Sequence, residues 1–225
     1  MITQTNQTLR DLYLRDLQLP DIHHGRTTAK VRNIEHWKAI EPRIVNLQWD
    51  AIYAPDGRRV FVWSDIHFGH KNIITYTGRP FYDVTAMNAS MIANYKAVIK
   101  EDDIVIFGGD ISFMSEALTN DILHQLPGHK IQIVGNHDID RKGNLTNMHF
   151  DERHLCLVVT DNQSGIQLLF THYPMDKVPK NCVNVHGHIH NHLANPWNIN
   201  ICVEHTNYSP ISLDGIVARA KEYLA

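Results

Sequence analysis

The sequence predicts a mixed α/β (α+β) domain, and three features carry that expectation. Residues 83–134 alternate helix, strand, helix, strand, the order that builds parallel strand pairs in layered folds. Four more short strand candidates follow between residues 155 and 203, separated by turn-rich pieces. Finally, five apolar runs end directly in Asp, Asn or His: at Ser64-Asp65-Ile66-His67, Gly109-Asp110, Gly135-Asn136-His137-Asp138, Thr171-His172 and Gly187-His188-Ile189-His190.

Taken in order, residues 8–19 place five leucines among Arg and Asp, a short amphipathic helix or an irregular arm that Pro20 and Gly25 break. Residues 44–49 and 59–63 flank Pro55-Asp56-Gly57 as strand, turn, strand. Over 83–99, Met87, Met91, Tyr95 and Val98, with Ile92 and Ile99, form an apolar stripe at helical spacing, with Asp83 or Thr85 as cap. Residues 104–107 form a buried strand. Ser115 starts a second helix with Leu118, Ile122 and Leu126 inward, and Pro127-Gly128 ends it. Residues 131–134 are a strand parallel to 104–107. Strands over 155–160 and 166–170 are joined by the hairpin signal Asn162-Gln163-Ser164-Gly165, and 183–185 and 199–203 complete the strands. Ser212 or Asp214 opens a last helix with Ile216, Val217, Ala220, Tyr223 and Leu224 on its apolar side. With no repeat or linker, the chain reads as a single domain: residues 59–225, with 1–58 an N-terminal extension packed on it.

The 225 residues, 43% apolar, carry a formal net charge of −3 without a long charged run. Neither bulk binding to nucleic acid nor a polybasic membrane contact is expected from that balance, although a local basic patch stays open. Cys156, Cys182 and Cys202 are well separated and make no CxxC pair, the pattern of reduced, buried thiols. A polar N-terminus and the lack of an apolar run of about 20 residues favour a cytoplasmic protein with no membrane contact.

The chemistry lies at the strand ends. Asp65 and His67 are two apart, as are His188 and His190, and on an extended strand exit such pairs point to one side. Asp110 follows two glycines and has two oxygens with which to bridge two ions. Asn136 offers a neutral carbonyl and His172 an imidazole. Mixed Asp, His and Asn donors without thiolate suit Mn²⁺, Fe or Zn²⁺ and argue against a structural cysteine-rich zinc site. Ligands in open α/β sheets gather beyond the carboxyl ends of strands, where all five stretches sit.

These five motifs, in this order and each after an apolar run, resemble the calcineurin-like metallophosphoesterase superfamily over roughly residues 60–208. Ser64-Asp65-Ile66-His67-Phe68-Gly69-His70, Arg79-Pro80-Phe81 and Tyr208-x-Pro210-Ile211-Ser212-Leu213-Asp214 resemble a small bacterial and phage phosphoesterase branch of it. The resemblance implies two packed mixed sheets flanked by helices in four layers, with two metals at the strand ends. It implies that Asp65, His67 and His190 hold one metal, that Asn136, His172 and His188 hold the other, and that Asp110 bridges them. Mn²⁺ is the first candidate, with Fe, Zn²⁺ and Ni²⁺ as alternatives. His137 would protonate the leaving oxygen. Asp138 would orient His137, or else cap the following turn through an Asx bond.

Two more residues are candidate substrate contacts: His70, and Arg79 as a phosphate clamp or a turn arginine. His186 takes a structural role beside the ligands. The function implied is a metal-dependent phosphohydrolase in which a hydroxide bridging the metals attacks a small phosphomonoester or phosphodiester, a nucleotide or cyclic nucleotide first. A nuclease of the same fold and a non-catalytic scaffold are the competing readings. The sequence departs from the superfamily pattern at Ile111-Ser112-Phe113, where many members carry another polar residue.

Overall fold

The computed structural model describes residues 46–49, 54, 56–140, 143–193, 195 and 197–224. The helix or arm expected over 8–19 lies outside the described residues. In chain order the elements are β1 (Asn46–Trp49), β2 (Val60–Trp63), α1 (Ile73–Thr77), α2 (Val84–Val98), β3 (Ile104–Phe107), α3 (Glu116–Gln125), β4 (His129–Ile133), β5 (Glu152–His154), β6 (Cys156–Asp161), β7 (Gln167–Thr171), β8 (Cys182–His186), β9 (Asn198–Asn200), β10 (Ile211–Ser212) and α4 (Leu213–Leu224). Two short 3₁₀ turns, Asn136–Asp138 and Val203–His205, sit at strand ends.

Two mixed sheets result, ordered β1-β6-β7-β8-β9 and β10-β2-β3-β4-β5. In the second, β2, β3, β4 and β5 run parallel and β10 is antiparallel on the edge. In the first, β6 and β7 form the expected antiparallel hairpin, and β7, β8 and β9 run parallel. The expected strand, turn, strand arrangement before residue 64 is present, with Gly57 N–H donating to Ala54 O at 2.8 Å in the turn, but its strands do not pair. β1 and β2 belong to different sheets, and β1 adds as a parallel edge strand on β6. That piece of the N-terminal extension is therefore part of the sheet.

The parallel strands β2 and β3 read as unbroken apolar runs because both their faces are covered. Side chains alternate, so each strand feeds two cores. Val60, Val62, Ile104, Ile106, Ile131 and Ile133 point between the sheets, where they meet Leu157, Leu168, Phe170, Val183 and Val185. Phe61, Trp63, Val105 and Phe107 point the other way, against Met87, Met91 and Tyr95 of α2 and Ile122 and Leu123 of α3. The outer face of the other sheet carries a smaller cluster around Leu155, Cys156, Val158 and Leu169. Of the four layers expected, the described residues supply helix, sheet and sheet, with α4 closing the inter-sheet core through Leu213, Ile216, Val217 and Ala220.

The caps behave as expected. Asp83 accepts from Ala86 N–H at 2.8 Å, Ser115 from Leu118 N–H at 3.4 Å and Ser212 from Gly215 N–H at 3.3 Å. Two inner faces differ from expectation. Leu118 is exposed, and α3 buries Thr119, Asn120, Ile122 and Leu123 instead. Tyr223 and Leu224 are exposed at the end of α4. Helix α1 and strands β5 and β10 carry too few residues for periodicity to reveal them.

Leu168 is fully buried between the sheets. Leu168→Ala is expected to lower unfolding stability by about 2–5 kcal/mol in urea titration, the range for a Leu truncated in a packed core. A loss below about 1 kcal/mol would mean that the sheets do not pack face to face there.

Candidate metal centre

The carboxyl ends of β2, β3, β4, β7 and β8 converge, as the five motifs predict. Ser64, just after β2, bridges Cys202, just after β9, and so ties the two sheets together at that end. Asp65 N–H donates to Gly109 O at 3.0 Å and His67 N–H to Asp110 O at 3.1 Å, which aligns the exits of β2 and β3.

The convergence does not arise from extended exits. Asp65, His67, Asp110, His188 and His190 all have positive φ, between 49° and 70°. For residues with a Cβ this left-handed region is uncommon, and such outliers gather at functional sites. Gly135 is extended (φ −92°). It is needed for closeness: a Cβ there would collide with the Asp110 carboxylate, and one on Gly187 would collide with Asp65.

Two groups of donors form. One atom each of Asp65, His67 and His190 lie within 4.8 Å of one another, as do atoms of Asp110, His172 and His188. Asn136 joins the second group, its Oδ1 lying 2.9 Å from His172 Nε2 and 3.0 Å from His188 Nδ1. Asp110 faces both, with Oδ1 at 3.4 Å from His172 Nε2 and Oδ2 at 3.7 Å from His67 Nε2.

A cation fits this donor set. Both ring nitrogens of His67 are buried without a hydrogen-bond partner, and a buried polar group left so costs roughly 1–3 kcal/mol. His172 Nδ1 is 2.9 Å from Gly108 O, and His190 Nδ1 is 3.2 Å from Glu204 Oε1. Each contact fixes a proton on Nδ1 and so reserves Nε2 as the position for a metal.

Glu204 was not legible as a site residue. It lies on the 3₁₀ turn after Cys202, in no recognisable motif, and Arg79 is its partner. Arg79 is buried: Nε and Nη2 donate to Glu204 Oε1 at 3.0 and 2.9 Å, Nη1 to Ile66 O at 2.8 Å and Nη2 to Asp65 O at 2.8 Å. The expected phosphate clamp is therefore an internal brace, its fork turned onto the ligand loop. A third donor group, His190, Cys202 and Glu204, already has this guanidinium against it, so it acts as the support of His190.

Asp138 is corrected too. Its buried carboxylate accepts from Gly135 N–H at 2.8 Å, Asp110 N–H at 3.0 Å and Ile111 N–H at 3.0 Å. With its oxygens spent on backbone, it does not reach the His137 ring. His137 faces outward, its side chain 42% exposed and its Nε2 3.9 Å from Asp110 Oδ2. His70 packs on Phe113 and accepts from Ile73 N–H at 3.2 Å through Nδ1. Burial, with His67 and His137 nearby, lowers its pKa to about 4, so the ring is neutral. His186 is fully buried, and that burial likewise lowers it to about 4. Tyr173 packs on His188 at 4.4 Å between ring centroids and shapes the second group.

The electrostatics are those of a cation site. Burial works against the charges of Asp65 and Asp110, yet the surrounding imidazoles hold both carboxyls below the usual range. Burial lowers His67. Burial opposes the charge of His172 too, but Asp110 overrides it and raises this pKa to about 10. A cation taking Nε2 would displace that proton.

Two outcomes follow. Glu204→Ala is expected to weaken Mn²⁺ binding about 10–100-fold, as loss of a carboxylate behind a ligating histidine does, with Glu204→Gln weakened less; unchanged affinity by competition with a chelating dye would remove Glu204 from the site. The sign for His172 is set by its raised pKa: the pair with Asp110 stabilises the metal-free fold fully below about 6.5, and that contribution fades as pH rises through about 10. Mn²⁺ titrated near pH 7 should therefore release protons, and its affinity should weaken as the pH is lowered. Calorimetry in buffers of different ionisation enthalpy measures the release, and none would remove His172 as a ligand.

No family model matches the chain. The crystal structure of AQ665 from Aquifex aeolicus, a protein of unknown function, aligns with a TM-score of 0.54 and 26% identity, over 71% of this chain and 97% of that one. The uncharacterized protein MJ1445 of Methanocaldococcus jannaschii is 35% identical over 172 residues, covering 71% of this chain and 90% of that protein. At that identity and coverage, the chain belongs to the same family as MJ1445.

Proposed function

We propose that this chain is a binuclear metal-dependent phosphohydrolase of the calcineurin-like kind, acting on a small phosphomonoester or phosphodiester. The observation that carries the reading is Asp110, with one carboxylate oxygen toward His67 and the other toward His172. Asp65, His67 and His190 would hold one divalent cation, and Asn136, His172 and His188 the other. Mn²⁺ is the first candidate, and Fe, Zn²⁺ and Ni²⁺ suit the same donors. When bound, such a pair supplies Lewis acidity toward the phosphoryl oxygens and makes a water acidic enough to serve as nucleophile near neutral pH.

The protein's own groups divide the remaining work. The His137 backbone N–H is anchored on Asp110 Oδ1 at 2.9 Å while its ring stays at the surface. That placement suits a proton donor to the leaving oxygen. Asp138 holds the 110–111 loop and the Gly135 turn in register, which ties Asp110 to His137. Arg79 and Glu204 hold His190. No helix among the described residues is long and apolar enough to cross a membrane. A cytoplasmic setting suits the three buried cysteines, none of which forms a disulfide.

The test is hydrolysis of monoester and diester phosphates by the purified protein with Mn²⁺. Asp110→Asn is expected to lose bound metal and nearly all activity. His137→Ala is expected to keep its metal and lose roughly 10²–10⁴-fold in kcat on poor leaving groups. Metal-independent hydrolysis, or an Asp110→Asn protein as active as wild type, overturns the proposal.

A further inference from the structure

An aromatic wall stands beside the metal centre, and the chemistry above leaves it unused. Phe113 is 44% exposed, with its ring centroid 4.0 Å from that of His70, 4.6 Å from His137 and 5.3 Å from His67. Tyr76, 65% exposed, continues the wall 6.1 Å beyond His70.

The ring is held there by a tied backbone. Phe113 N–H donates to Phe68 O at 2.8 Å. The preceding Ser112 pairs with Phe68 in a parallel bridge and donates its hydroxyl to Phe68 O at 3.3 Å. The same hydroxyl accepts from Met114 N–H at 3.0 Å and from the Thr119 hydroxyl at 2.8 Å. An apolar ring fixed at the surface gives up the gain of burial, and here it does so between a proposed metal ligand and a proposed proton donor. Meanwhile Arg79, the cation that could have gripped phosphate from this side, is turned inward.

We infer that Phe113, flanked by His70 and Tyr76, is the platform on which a planar ring of the substrate stacks, so that the substrate is a nucleotide-type phosphoester with its base one sugar away from the phosphorus. This rests on the phosphohydrolase reading of the centre, which fixes where the phosphorus sits. Every nucleobase has a π-face, so stacking recognises a base without choosing among bases. The platform therefore selects nucleotides over sugar phosphates and leaves base identity open.

The experiment pairs 5′-AMP with ribose 5-phosphate, which share the phosphoester and differ by the base. Binding by equilibrium dialysis and kcat/KM are measured on the Mn²⁺-loaded full chain and on Phe113→Ala, Phe113→Leu and Phe113→Tyr, each with its metal content. Wild type should prefer 5′-AMP about tenfold in both measures, the weight of one base–aromatic stack. Phe113→Ala and Phe113→Leu should bring the ratio near one, and Phe113→Tyr should keep it. Phe113→Leu retains apolar bulk, so its loss of preference reports the ring and not the fold. A wild-type ratio near one, or a ratio that Phe113→Leu leaves intact, overturns the platform even if both compounds are hydrolysed. Base-dependent binding that follows Phe113, with neither compound hydrolysed, would keep the platform and overturn the hydrolase reading for these esters.

Discussion

Five side chains that could hold a cation stand on backbone that prefers not to be there. Asp65, His67, Asp110, His188 and His190 are all left-handed, at roughly 1–2 kcal/mol each. Together that is on the order of 5–10 kcal/mol, comparable with the net stability of a whole domain. Strain of this size persists only where the surroundings over-determine it. Here the parallel strands end in register, so the exits of β2 and β3 hydrogen-bond to each other residue by residue. The Ser64 to Cys202 bridge then joins the sheets just behind the ligands. The inter-sheet core is therefore a requirement of the site, because it clamps two groups of strand ends that would otherwise relax apart.

Charge imposes the second constraint. Buried carboxylates are tolerable only with compensating partners, and the two donor groups find them differently. Behind His190 stands Glu204, itself neutralised by Arg79. Behind His172 stands the neutral carbonyl of Gly108. A carboxylate on Nδ1 makes an imidazole a stronger donor at Nε2 than a carbonyl does. The two cation positions proposed here are thus inequivalent by construction. Placing Glu204 outside the donor shell also keeps its charge from adding to those of Asp65 and Asp110.

Much of this was legible in the sequence because it rests on short-range signals. Apolar runs marked the parallel strands, the polar residues after them marked the convergence, and the caps at Asp83 and Ser115 marked two helix starts. The parts that were not legible depend on long-range pairing. Nothing local separates β1 from a hairpin partner of β2, since the choice is made by β6 more than 100 residues later. Arg79 in Gly-Arg-Pro-Phe looks like a surface turn, and its meetings with Glu204, 125 residues away, and with the Asp65 and Ile66 carbonyls turn it inward. Asp65 and His67 converge as their i, i+2 spacing predicts, but on left-handed exits, which residue identity alone does not reveal.

The stretch Gly135-Asn136-His137-Asp138 shows how one local conformation divides chemical labour. Read as an extended exit, it would send Asn136 and Asp138 to one side and His137 to the other. It is instead a 3₁₀ turn, with three residues per turn and side chains about 120° apart. Three consecutive residues therefore face three environments. Asn136 faces His172 and His188, His137 faces solvent beside Phe113, and Asp138 faces inward onto the backbone of Asp110 and Ile111. The inward carboxylate has consequences for the other two: by holding Asp110 and Ile111 against the turn, it sets the distance between the candidate bridge and His137. Asp138 thus acts on any chemistry at this site through the position of its neighbours, without touching the His137 ring.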